Sequence, residues 1–108
     1  MKNGRPNPVF RALADPTRRA LFEELSRRGE LTVHALTRLA GVSQPAVSRH
    51  LAVLKRAHLV HPRCQGRETH YHANSASLEP LANWLRDYSV FWKARFDRLE
   101  SLLEKMQP

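Results

Sequence analysis

Gln44, Ser48 and Arg49 fall within one short stretch, SQPAVSRHLAVLKR, and bring together the donors and acceptors that read base edges. Glutamine pairs bidentately with adenine and arginine with guanine, while Ser43, Ser48 and free amides at a helix start suit a phosphate. Ala46 is small enough to allow close approach, and Pro45 is tolerated because first-turn amides lack intrahelical partners. Lys55 and Arg56 continue the stretch with positive charge, and Arg63 and Arg67 flank a Gln65-Gly66 turn. A basic tip of that kind can straddle phosphates or enter a minor groove. A solvated polar helix face beside a surface hairpin has the same residue types, so these residues alone leave both readings open.

The elements that must position them follow from caps and periodicity. A short helix is predicted over Pro8–Leu13, and Asp15-Pro16 supplies an N-cap and a first-turn proline for a second helix that ends near Arg28. Thr32 can cap a third helix with an apolar face of Val33, Leu36, Leu39 and Ala40, stopped by Gly41. Ser43 caps a fourth, covering about residues 43–56, whose Val47, Leu51 and Leu54 turn inward. Two helices joined at Gly41-Val42 make a helix-turn-helix candidate, with Leu36, Ala40, Val42 and Val47 closing a small core between them. Alternation of Thr69, Tyr71 and Ala73 predicts a β-hairpin over about residues 60–73, with Pro62 on an edge or irregular strand.

From Ser77 to Met106 the pattern predicts one long helix of roughly 45 Å. Trp84, Tyr88, Phe91, Trp92 and Phe96 crowd it, and Leu81, Leu85 and Leu99 extend its apolar stripe. One small domain cannot cover that surface, so a symmetry mate is expected there, with Val9, Phe10 and Leu13 of the first helix added. The expected organisation is a lead-in over residues 1–7 and a single domain over 8–106, with 77–106 as the dimerisation helix. The fold class is mainly α with a small β-hairpin.

With 18 Lys and Arg against 10 Asp and Glu, the 108-residue chain carries a formal charge of +8, which favours a polyanionic partner. No apolar run approaches the roughly 20 residues of a membrane span, the first residues lack a secretory pattern, and a lone Cys64 cannot form an intrachain disulfide. A reducing cytoplasm is the expected setting. The chain shows no glycine-rich phosphate loop and no paired carboxylates in an apolar context, and a Cys64–His70 pair would sit on an exposed hairpin, so no enzyme is expected.

The segments ADPTRRALFEEL, ELTVHALTRLAGVSQPAVSRHLAVLKRAHLV and GRETHYHA resemble the ArsR family of bacterial winged helix-turn-helix repressors over nearly the whole chain. The resemblance is to the branch with a DPTRR motif and a long aromatic-rich C-terminal helix, many of whose members lack a metal site. It implies a homodimer that binds an inverted-repeat operator in double-stranded DNA and represses transcription, its own operon included. By position it puts Ser43, Gln44, Pro45, Ser48, Arg49 and His50 on the DNA-reading stretch and Arg63 and Arg67 on the wing.

Neutral imidazole and thiolate suit zinc and related ions, and the chain has six histidines and one cysteine. The family's arsenic-type cysteine pair corresponds here to Thr32 and His34, and its zinc-type Asp and His set on the C-terminal helix finds Asp87 and Asp97 but no histidine. Neither metal nor other cofactor is therefore expected. His58, His61, Cys64, His70 and His72 leave a wing-borne site conceivable, although polar surface beside DNA is the expected role. A protein-interaction module with a basic face and a sequence-neutral nucleic-acid binder remain alternatives to a specific regulator.

Overall fold

Asp15 ends one helix and begins the next. Its carboxylate accepts the Arg18 amide at 2.9 Å and Pro16 takes the first turn, separating α1 (Asn7–Ala14) from α2 (Pro16–Arg28). Arg18 donates through Nε to the Ala12 carbonyl at 2.7 Å and through Nη2 to that of Arg11 at 3.0 Å, and Arg19 Nη1 reaches the Leu13 carbonyl at 2.8 Å. Carbonyls left over at the end of α1 are thus satisfied by side chains of α2. The computed structural model describes residues 7–106. Of the lead-in expected over 1–7, residues 1–6 lie outside the described residues and Asn7 already belongs to α1.

β1 (Leu31–Thr32) leads straight into α3 (Val33–Ala40), where the Thr32 hydroxyl accepts the Ala35 amide at 3.0 Å. Gly41 adopts φ 70°, which closes α3 in the left-handed conformation and frees the chain to turn. Ser43 then caps α4 (Gln44–Arg56), accepting the Ala46 amide at 3.3 Å. The end of α4 has no glycine. His58 takes φ 63°, its amide bonds the Lys55 carbonyl at 2.9 Å, and the Leu59 amide bonds that of Leu54 at 2.9 Å. This is a Schellman closure with histidine at the left-handed position.

β2 (Val60–Gln65) and β3 (Glu68–Ala73) pair antiparallel around Gly66-Arg67. Positive φ at Gly66 alone, 65°, marks a type II′ turn. The sheet order is β1-β3-β2, so Pro62 lies on an edge strand that spares its missing donor. Pairing of Leu31 with Tyr71 adds a third strand that sequence reading lacked, since two residues show no alternation.

Leu21 and Leu25 of α2, Leu36 of α3, Val47, Leu51 and Leu54 of α4, and Leu59 and Val60 form the fully buried centre. Burying each such side chain contributes roughly 1.5–3 kcal/mol. Val9 belongs to this core at 4% exposure, which corrects its assignment to a partner interface, and Leu13 and Leu81 are half-buried against the same cluster. Val42, expected inside, is exposed.

A 3₁₀ turn (Ser75–Leu78) leads to α5 (Glu79–Arg86) and then to α6 (Ser89–Lys105). The single helix expected from Ser77 to Met106 is therefore broken. At Asp87 and Tyr88 the amides bond back three residues, to Trp84 at 3.2 Å and Leu85 at 3.0 Å, a tighter coil that interrupts the α-helical ladder. No residue of α6 is buried. The radius of gyration of 18.1 Å exceeds the roughly 13 Å of a compact chain this long, in keeping with an α6 that buries none of its residues.

Candidate nucleic-acid interface

α4 divides into flanks by its helical period. Val47, Leu51 and Leu54 face the core, and the opposite side presents Pro45, Arg49 and Ala52, all exposed. Gln44 and Ser48 lie on the flank toward the wing. They line a groove of about 260 Å³ with Thr32, Val33 and His34 of the α3 start and with Arg67, Glu68 and Thr69 of the hairpin. The structure thus joins Gln44 and Ser48 to Arg67 across one concave surface, and Arg49 is exposed on the solvent side of α4 outside the groove lining.

Thr32, Val33, His34, Glu68 and Thr69 line the groove although sequence reading assigned none of them a DNA-contacting role. Packing of α3 on α4 sets His34 there, and the pairing of β1 with β3 brings Glu68 and Thr69 alongside.

Other expected contacts fall elsewhere. His50 is half-buried on the α2 flank of α4, within electrostatic reach of the Asp15 carboxylate, and so points away from the groove. Asp15 itself is held below the ordinary carboxylate range, chiefly by the Arg18 amide. Ala46 shares that flank and is half-buried. Lys55 and Arg56 are exposed at the far end of α4, where Arg56 borders a depression with Pro8 and Arg11 of α1.

Arg63 is engaged rather than free. Its Nε and Nη2 form a fork on Glu30 at 2.8 and 2.6 Å, and Nη2 also reaches Gln65 Oε1 at 3.1 Å. The guanidinium keeps the Glu30 carboxyl below its usual range and is itself raised by that partner. This fork ties the wing to the segment between α2 and α3, leaving Arg67 as the cation at the tip.

The apolar surface lies on α5 and α6. Trp84 packs edge-to-face on Phe10 of α1 with centroids 5.3 Å apart, and Tyr88 sits 5.0 Å from Trp84. Leu85, Tyr88, Phe91, Trp92, Phe96 and Leu99 are all 46–64% exposed. Thr32, in the family's arsenic-type ligand position, spends its hydroxyl on the α3 cap. No group of three or more metal-ligating side chains converges among the described residues.

Residues 13–63 match the model of a helix-turn-helix domain. The transcriptional repressor SdpR of Bacillus subtilis is 32% identical over 82 residues, spanning 76% of this chain and 90% of that protein. The arsenical resistance operon repressor of Escherichia coli is 44% identical over 101 residues, 94% of this chain and 84% of that one. The solved ArsR-like transcriptional regulator from Rhodococcus sp. RHA1 superposes with a TM-score of 0.68 at 31% identity, covering 89% of this chain and 90% of that one. A capped α3-turn-α4 unit, a basic-tipped hairpin and relatives matched over most of their length agree: the chain belongs to the ArsR family of winged helix-turn-helix transcriptional repressors.

Proposed function

We propose that the chain acts as a homodimer that occupies an inverted-repeat operator, its own promoter region included, and blocks transcription by occupancy without covalent chemistry. The observation that carries this reading is the exposed N-terminal half of α4 facing Arg67 across one groove. The first turns of α4 enter the major groove, where Gln44 and Arg49 read base edges and Ser43 and Ser48 meet phosphate. Arg67 reaches the flanking backbone or minor groove. The aromatic faces of α5 and α6 pair between copies and hold the two α4 helices about one DNA turn, roughly 34 Å, apart.

A transcriptional regulator of this kind works on chromosomal DNA in the cytoplasm. The test is affinity for fragments of the native upstream region against scrambled DNA over a salt series. Preference for the native fragment that persists as salt rises is expected. Equal affinity at every salt concentration would leave a sequence-neutral binder, and no affinity for either would leave a protein-interaction module.

A further inference from the structure

The outer face of the wing carries a pair of imidazoles that the DNA-binding reading does not use. His61 of β2 and His72 of β3 are direct cross-strand partners, both exposed, with ring centroids 5.6 Å apart and planes inclined at 54°. Neither ring makes a hydrogen bond or ion pair among the described residues; each has only the other as its aromatic neighbour.

We propose that His61 and His72 form a two-histidine chelate for a divalent transition metal of the zinc, nickel or copper class, with water completing the coordination. A metal held about 2.0–2.1 Å from each ring nitrogen in tetrahedral geometry sets imidazole centroids roughly 5 Å apart. The observed separation is within rotamer adjustment of that value. Imidazole ligands select this class over magnesium or calcium, which prefer oxygen.

The surroundings permit a cation. Arg63 shares the outer face at the next position along β2 and would repel a metal, but its charge is matched by the Glu30 carboxylate at 2.6 Å. His70 lies on the same face of β3, 3.8 Å from Glu68, and Glu30 is within electrostatic reach of both His70 and His72. The cation nearest the pair along β2 thus carries its own counter-charge, and carboxylates lie on the same side of the sheet. A bound ion would staple β2 to β3 at the base of the wing, four ladder pairs from the Gln65–Glu68 end of the register. Each neutral imidazole contributes a lone pair, so binding displaces any proton held there and weakens as pH falls.

The experiment is zinc titration of the tag-free full chain, followed by calorimetry and by the imidazole proton signals in NMR. One zinc per chain is expected, with the His61 and His72 signals shifting together. His61→Gln and His72→Gln should each weaken binding at least tenfold, whereas His34→Gln and His70→Gln should change it less than threefold. Equal melting temperatures in chelator would establish that the variants fold. Zinc shifts confined to other histidines, undiminished binding in both His61→Gln and His72→Gln, or no binding by wild type would each overturn the proposal. None of these outcomes bears on operator binding, which is measured separately in chelator.

Discussion

Arg63 and Arg67 share one hairpin, and their surroundings assign them different work. Arg67 sits at the tip of the wing, on the groove that also holds Gln44 and Ser48. In the proposed docking, Arg67→Ala weakens binding to all sequences alike and lowers the salt slope by about one, whereas Arg49→Ala loses roughly 1–3 kcal/mol of discrimination at one base pair. Competition assays on single-base operator variants separate the two, and an Arg49→Ala protein with intact preference would remove that residue from base reading. Arg63 acts through Glu30. Because Arg63 holds the Glu30 carboxyl below its ordinary value of 4.5, with burial opposing, the folded group is more acidic than the unfolded one. The contribution of the pair is then complete above that ordinary value and is lost as pH falls through the lowered one. Hydrogen exchange should accordingly show β2 and β3 amides losing protection on acidification, and Glu30→Gln should produce the same loss at neutral pH with α4 unaffected. Unchanged wing protection in Glu30→Gln would mean that the fork does not hold the wing.

The elements announced by caps were legible in the sequence, and those made by distant contacts were not. Asp15-Pro16, Thr32 and Ser43 mark the starts of α2, α3 and α4 because each cap lies three residues from the amide it satisfies. The groove residues of α4 followed from the same periodicity. The Glu30–Arg63 fork joins residues 33 positions apart, and β1 is a two-residue strand paired near Tyr71, so no local pattern announced either. The break at Asp87-Tyr88 contains neither proline nor glycine and interrupts an apolar pattern that reads as continuous. The closure of α4 was hidden for a related reason, since it uses His58 where glycine is usual. A non-glycine residue at positive φ costs roughly 1–2 kcal/mol, partly offset by the greater entropy that glycine loses on folding. His58→Gly should therefore stabilise the fold by about 0.5–1 kcal/mol, raising the midpoint of thermal unfolding by several degrees. A lower midpoint would show that the His58 side chain contributes more than its backbone costs.

The body and the C-terminal arm obey different rules. The body buries its leucines from α2, α3 and α4 around one centre, whereas α6 presents Trp92, Phe96, Leu99 and Leu103 to solvent at 48–64% exposure. Contiguous exposed apolar surface of that extent marks a site of interaction with another surface. A second copy is the economical cover, because a two-fold axis lets identical stripes meet and sets both α4 helices against successive turns of one DNA face. The double variant Trp92→Glu/Phe96→Glu places carboxylates in that contact without touching the core. It should sediment as a monomer at micromolar concentrations where the proposed wild-type dimer is expected to persist, with the α2–α4 body still folded by circular dichroism. Losing the second half-site should reduce operator affinity by about 10²–10⁴, the advantage conferred by linking two binding events. Affinity for a single half-site should stay within a few-fold of wild type, since Gln44, Arg49 and Arg67 are unchanged. A variant that remains dimeric would place the interface elsewhere, and a monomer with full operator affinity would show that one copy is sufficient for recognition.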